Sequence, residues 1–386
     1  MLAGCQTIPG PAGTGVTLQK QDFSDLPGWR GANLQPAYQA FVRSCGEINA
    51  RSATAPAPGL GYGGTNGDWQ MVCRAVKHTA LPPKRFFEQW FQPFSLVASG
   101  TANLFTGYYE PEIAVSRVKD ETYQTPIYGL PSDLVSVDLG LFRDKYKGEK
   151  LVGRLDKNRL TPYPARAEIE NKGIKAPILF YAADPVAVFF LQIQGSGRGV
   201  LPDGSQVRLV YAGQNGKSYT AIGKVLAAQG AIARDQITAQ SIRDWLKSHP
   251  DEAVSVMQAN ESYVFFAEEH IGSPSLGAKG SEGVPLTAEA SIAVDPRFHP
   301  YGLPVFIATT KPSSDGAGTV WQSLFIAQDR GGAIRGAGRA DLYLGVGGGP
   351  EKLAGLMKQP GDMFILLPRA VAERLPGMSR YDGPQP

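Results

Sequence analysis

Two aspartates bracket a glycine-rich segment, Gln328-Asp329-Arg330-Gly331-Gly332-Ala333-Ile334-Arg335-Gly336-Ala337-Gly338-Arg339-Ala340-Asp341, which is the densest candidate for acid–base chemistry in the chain. The pattern predicts a strand, a loop and a second strand. Glycines free the loop backbone, so the strand ends can approach and both carboxylates can face one cleft. Asp341 leads into the apolar run Leu342-Tyr343-Leu344, which places its carboxyl at the entrance to a buried strand. Desolvation there, and a second carboxylate nearby, raise a carboxyl pKa. A general acid for glycoside cleavage needs that shift. The competing reading is plain: aspartates beside a glycine-rich turn commonly cap the turn and do no chemistry.

A second candidate is Phe105-Thr106-Gly107-Tyr108-Tyr109-Glu110-Pro111. Adjacent tyrosines on a strand project to opposite faces, so one can fill the core while the other offers a flat ring and a hydroxyl to a sugar; core packing of both is the alternative. The glycine-rich string Gln194-Gly195-Ser196-Gly197-Arg198-Gly199 precedes a hairpin rather than a helix, so it reads as a tight loop and not a phosphate cradle. The chain has no GxSxG elbow, Walker loop or HExxH, and His78, His249, His270 and His299 lack ligand spacing. No metal and no organic cofactor are expected.

The elements that must position these groups follow from composition and period. With 386 residues the chain exceeds the usual limit of one core, which predicts two domains. The 46 Gly and 30 Pro imply many turns and favour strands over long helices, so the expected class is mainly β with a few helices. A formal charge of +3, with no block of like charges, excludes a nucleic-acid arm. Residues 1–22 read as a polar tether. Helical stripes occur over Leu34–Ser44, Trp69–Val76 and Arg85–Gln92. Short apolar runs then predict strands over Asn103–Tyr109, Ala176–Ala182, Val186–Gln194 and Gln206–Ala212, with a turn at Asp203-Gly204. Helices are expected over Ser218–Ala228, Thr238–His249 and Ala253–Gln258, and strands over Ser262–Phe266, Val305–Ala308, Leu324–Ala327, Ala340–Leu344 and Met363–Leu367.

Three cysteines carry different meanings. Leu2-Ala3-Gly4-Cys5 resembles a lipobox, which makes Cys5 a candidate for lipid attachment in a longer precursor; an incidental cysteine is the alternative. Cys45 and Cys73 fall in two predicted helical pieces and can pair in an oxidising compartment, or stay as buried free thiols elsewhere.

Taken together, the motifs resemble the membrane-bound lytic murein transglycosylase A family. The resemblance rests on Thr106 to Pro111, Asp184-Pro185 through Gln192-Ile193-Gln194-Gly195-Ser196-Gly197, Tyr263-Val264-Phe265-Phe266 and Gly332-Ala333-Ile334-Arg335-Gly336. It implies a double-psi β-barrel domain from residues 23–107 and 258–386, a second β-barrel domain inserted at 108–257, and a deep groove between them. It also implies Asp341 as the catalytic residue, with Asp329 and Asp295 shaping its surroundings. Substrate contacts are expected from Thr106, Tyr108, Tyr109, Glu110, Gln194, Gly195, Ser196, Gly332, Ala333 and Arg335. Where relatives often have bulkier residues before the aspartate, this chain has Gly336-Ala337-Gly338-Arg339-Ala340.

The implied substrate is the glycan strand of peptidoglycan, cut at the β-1,4 bond between N-acetylmuramic acid and N-acetylglucosamine with closure of a 1,6-anhydro ring. The implied setting is the periplasm, with the chain held to the outer membrane through the Cys5 lipid. Proteins of cell-wall synthesis or division are the implied partners of a monomeric chain. Two rivals remain: an inverting glycoside hydrolase with Asp329 or Asp295 as base, and a non-catalytic peptidoglycan-binding lipoprotein.

Overall fold

The computed structural model describes residues 15–98, 102–146, 149–313 and 316–383. Cys5 lies outside them. The mainly β class is observed, with the strands divided between two units. The first comprises the chain up to Tyr108, Ser275–Gly345 and Leu356 onward; the second comprises Tyr109–Pro274 and Val346–Gly355.

The first unit carries a ten-stranded sheet of β1 (Val16–Lys20), β2 (Phe91–Ala98), β3 (Leu104–Glu110), β4 (Ser291–Ala293), β5 (Pro304–Lys311), β6 (Thr319–Asp329), β7 (Arg339–Val346), β8 (Lys358–Pro360), β9 (Asp362–Pro368) and β10 (Met378–Tyr381). Their order is β8-β3-β7-β4-β6-β5-β9-β2-β1-β10. The three-residue β4 sits near the middle, parallel to β6 on one side and antiparallel to β7 on the other. Within the segment expected as a tether over residues 1–22, Val16–Lys20 is a strand, and residues 1–14 lie outside the described ones. Val16 and Leu18 alternate into the core, and β1 pairs with β2 and β10. Two buried side chains and a neighbour on each edge outweigh the flanking polar residues.

The helices of this unit include α1 (Gln35–Ala50), α2 (Asn66–His78) and α3 (Pro83–Trp90). Ala37, Ala40, Phe41, Ser44, Cys45 and Ile48 recur every three or four residues on α1 and are buried. Thr65 and Asp68 cap α2 reciprocally, the Asp68 carboxylate accepting from the Thr65 backbone N–H. Phe41, Phe86, Phe87 and Phe91 meet edge-on or tilted, with ring centroids 5.5–6.3 Å apart. Cys45 and Cys73 are joined by a disulfide that links α1 to α2.

In the second unit the six-stranded sheet runs in the order Val264–Glu269, Gln206–Gln214, Ser196–Val200, Glu112–Ser116, Ile178–Ala182, Thr125–Tyr128. The Val186–Gln194 run, expected as a strand, is instead the helix Pro185–Gln194. Asp184 caps it by accepting from the Val186 N–H, Pro185 fills the first turn and Gly195 closes it at φ +80°. Its periodicity was invisible because both faces are apolar. Val188 and Leu191 enter one core, while Val186, Phe189 and Phe190 enter another.

The division also moves the boundaries expected at 107/108 and 257/258. Residues 258–274 join the second unit because Val264–Glu269 pairs with Gln206–Gln214. Val346–Gly355 joins it as well, since Glu351 accepts a hydrogen bond from the Tyr109 hydroxyl and pairs with Arg243. Replacing Cys73 with Ser removes a crosslink closing a loop of 28 residues. It is expected to lower stability by about 3 kcal/mol, read as a denaturant midpoint shift that reductant reproduces in the wild type but not in the variant.

Candidate active site

The sheet register assembles the site. Ala293 of β4 pairs with Asp341 of β7 and with Asp329 of β6, so the three residues form one rung across three strands. Paired residues project to the same face, and two strand spacings separate the aspartates' backbones by about 10 Å. Between Ile292 and Ala293 the register skips Gln328, which is a β-bulge. Without it the rung would carry Gln328 in place of Asp329. Gln328 is fully buried: its amide donates to Ala40 O (2.9 Å) and Ser44 Oγ (2.8 Å) and accepts from Ser291 Oγ (2.5 Å). Bulges of this kind re-aim side chains beside active sites.

Over this rung lie Thr106 and Tyr108, two apart on β3 and thus on one face. Thr106 Oγ1 donates to Asp341 Oδ1 at 2.7 Å, and itself accepts from Arg339 Nη2 at 3.3 Å. The Tyr108 hydroxyl donates to Asp329 Oδ2 at 2.9 Å while its ring packs 5.3 Å from Tyr343. Ala293 between the aspartates is small. Gly107, between the two β3 residues, leaves room for Leu344; a Cβ there would lie 2.6 Å from Leu344 Cδ1.

The three aspartates have different environments. Asp341 is partly buried, and burial pushes its carboxyl up to about 6; Thr106 and Arg339 pull against this, and the Asp329 charge adds to it. Among the described residues nothing donates to its Oδ2. Asp329 is held on every side: Oδ2 accepts from Tyr108, and Oδ1 accepts from the Ser281 N–H and hydroxyl at 2.9 Å and the Arg330 N–H at 2.8 Å. Asp295 is fully buried, which alone would push its pKa up. The bidentate Arg297 guanidinium, at 3.0 and 2.7 Å, and the Gly336 N–H at 2.9 Å more than offset this and hold it below the ordinary carboxylate value.

Asp295 thus acts on the loop between β6 and β7. It anchors Gly336, whose φ of +98° suits glycine. His299 anchors the next residue: its Nε2 lies 2.7 Å from Ala337 O and its Nδ1 2.6 Å from the Tyr62 hydroxyl, and burial lowers its pKa. Pinned at Ile334, which is buried, and at 336–337, the loop leaves Gly332, Ala333 and Arg335 exposed. These three expected substrate contacts, with Thr106, Tyr108, Asp329 and Asp341, belong to the first unit.

The remaining expected contacts belong to the second unit and have other partners there. Glu110 is fully buried between Arg198 at 3.5 Å and Arg208 at 2.9 Å. Its carboxylate is a buried ion-pair centre, not an open sugar ligand. Tyr109 is buried too, donating to Glu351 at 2.9 Å and accepting from Arg243 at 2.8 Å. Gln194 Oε1 accepts from the Tyr109 N–H at 3.4 Å, Gly195 ends the helix, and Ser196 opens the next strand. Sequence reasoning missed Ser281, Gln328 and His299, which carry no local signal. Arg339 had one: it lies two residues before Asp341 and so shares its face. Among the described residues no cluster of three or more His, Cys, Asp or Glu could hold a metal ion.

Residues 104–267 match the MltA specific insert domain, and residues 290–367 match the 3D domain. The structure superposes on a membrane-bound lytic murein transglycosylase from Agrobacterium tumefaciens with a TM-score of 0.80 and 30% identity, covering 92% of this chain and 99% of that one. With MltA from Neisseria gonorrhoeae the TM-score is 0.78 and the identity 32%, over 94% and 96% of the two chains. The chain belongs to the membrane-bound lytic murein transglycosylase A family. The membrane-bound lytic murein transglycosylase A of Vibrio cholerae is 32% identical over 274 residues, and that match spans 68% of this chain and 65% of the relative's length.

The raised pKa of Asp341 has a thermodynamic sign. The folded state holds this proton more tightly than the unfolded chain does, so the carboxyl costs stability as pH climbs from its ordinary value of 3.8 through about 6. Asp341→Asn is therefore expected to be more stable than wild type at pH 8, by on the order of 3 kcal/mol, with the gain vanishing below about pH 4. Melting curves at the two pH values measure it, and equal gains at both would contradict the assignment.

Proposed function

We propose that this chain is a peptidoglycan lytic transglycosylase in which Asp341 alone serves as acid and then base. The observation that carries this reading is the contrast among the aspartates. Asp341 has a pKa of about 6 and an Oδ2 without a donor, whereas the oxygens of Asp329 and Asp295 are engaged by fixed hydrogen bonds. Thr106 donates to Oδ1, so the transferable proton of the neutral acid resides on Oδ2.

In the proposed reaction that proton passes to the glycosidic oxygen between N-acetylmuramic acid and N-acetylglucosamine, and the C1–O bond breaks through an oxocarbenium-like transition state. The Asp341 carboxylate then takes the proton of the muramyl C6 hydroxyl as its oxygen bonds to C1. A 1,6-anhydro ring closes and Asp341 is protonated again. The nucleophile is part of the substrate, so effective molarity replaces a second carboxylate. An inverting hydrolase would instead hold a water between two carboxyl groups. The saturated hydrogen bonding of Asp329 and Asp295 disfavours either as that base. Glycan strands are the proposed substrate, cell-wall turnover and remodelling the proposed role, and the periplasm the proposed setting, with the precursor anchored to the outer membrane at Cys5.

Mass spectrometry of muropeptides released from purified peptidoglycan tests the chemistry. Products one water lighter than reducing muropeptides are expected from the wild type, and a loss of at least about a hundredfold from Asp341→Asn. Reducing-end products would refute the intramolecular attack. Because the reaction starts from neutral Asp341, kcat should fall as pH rises past about 6. Thr106→Val removes a donor that lowers this pKa, so the alkaline limb should move to higher pH; an unmoved limb would deny Thr106 its contact with the reacting carboxyl.

A further inference from the structure

Within the second unit, Leu134–Asp138, Lys150–Asp156 and Arg159–Pro162 form a separate three-stranded antiparallel sheet. Its register pairs Val135 with Gly153, Val137 with Leu151, Gly153 with Pro162 and Leu155 with Leu160. Directly paired residues share a face, so Val135, Val137, Leu151, Leu155, Leu160 and Pro162 stand on one side around Gly153. That side carries no polar side chain. The opposite side bears Ser136, Asp138, Lys150, Arg154, Asp156, Arg159 and Thr161, most of them exposed, while its Leu134 and Val152 pack inward. Its Val152 lies 2.7 Å from where a Cβ on Gly216 would sit, and its Leu134 packs on the core of Tyr128, Tyr163 and Phe265.

The sheet thus leaves aliphatic side chains of its apolar side in solvent. Leu155 is 65% exposed, and Leu151 and Leu160 are exposed as well. The chain leaves this sheet through the turn Leu139–Leu141, where Leu141 is 86% and the adjacent Phe142 73% exposed. Contiguous apolar surface of this kind marks an interaction site. Charge points to its partner. Residues 134–162 contain seven Lys or Arg against four Asp or Glu, a net +3 equal to the formal charge of the whole 386-residue chain. Basic side chains beside a projecting Leu–Phe pair suit a surface that is apolar within and anionic at its rim.

We propose that this face, with the Leu141–Phe142 tip, seats on an anionic lipid bilayer, the tip entering the acyl boundary while the exposed Arg143 and Lys145 beside it meet headgroup phosphates. A protein hot spot generally fills a pocket on its partner; an exposed aliphatic face flanked by basic side chains favours the unstructured apolar layer of a membrane. The contact is independent of the glycan chemistry proposed above.

The test is flotation of the full chain carrying Cys5→Ser, which rules out lipid attachment, with vesicles of phosphatidylethanolamine and phosphatidylglycerol or of phosphatidylcholine alone. Flotation with the anionic vesicles, weakened by salt, is expected. Leu141→Ser with Phe142→Ser should cut partition at least about tenfold, the scale of exposing two large apolar side chains, while melting temperature and peptidoglycan cleavage stay unchanged. Phe142→Trp gives a second readout: its fluorescence should shift to the blue on the anionic vesicles. No flotation of the parent chain, equal flotation of the double variant, or an unshifted Phe142→Trp spectrum overturns the proposal. A dimer of the parent chain that the double variant splits would assign the face to self-association instead.

Discussion

A single alanine position sets the geometry of the aspartates. Ala293 belongs to a three-residue strand that pairs parallel with β6 and antiparallel with β7, and its rung is the only reason that Asp329 and Asp341, twelve residues apart, stand abreast. Had β4 paired one residue out of step, both carboxyls would have turned to the other face. The one-residue bulge at Gln328 is what brings β6 into step. Fixing it requires a buried amide with all its partners in place: Ala40 O, Ser44 Oγ and Ser291 Oγ. Ser44 also donates to Glu282 at 2.6 Å, whose burial, opposed by Ser44 and Arg51, pushes its carboxyl up to about 7. Polar groups in this interior are costly unless satisfied, and here satisfaction doubles as alignment.

The same economy separates the aspartates by role. Asp295 and Asp329 are surrounded by donors that fix the direction of their carboxylates, so they behave as fittings for the loop and for Tyr108. Asp341 has one donor and a desolvated position, which makes its ionisation costly. Burial thus keeps this carboxyl protonated to a higher pH than an exposed aspartate would reach.

Much of this was legible in the sequence, though unevenly. The β3 strand, the Asp329 and Asp341 pair and the loop between them follow from alternation and glycine placement. The Pro185–Gln194 helix did not, because a run apolar on both faces has no period to read; only Asp184, Pro185 and Gly195 at its ends announced it. Nor could Glu110 be distinguished from an open ligand, since its arginines lie 88 and 98 residues further on and nothing in their spacing foretells the meeting. A bulge is one extra residue in a strand and leaves no trace in composition. The exposed apolar face at 134–162 was hidden for a related reason: alternation locates two faces without saying how much of each the domain covers.

Helix α1 links two features that local sequence keeps apart. Ser44, which grips the bulge, is followed immediately by Cys45, which is tied to Cys73 in α2. The covalent staple and the aligning hydroxyl therefore occupy the same helical turn. Chain entropy removed by the staple is removed from the segment that keeps β6 in step, so the oxidation state of one cysteine pair is felt, through a single turn of helix, in how firmly the aspartate rung is held.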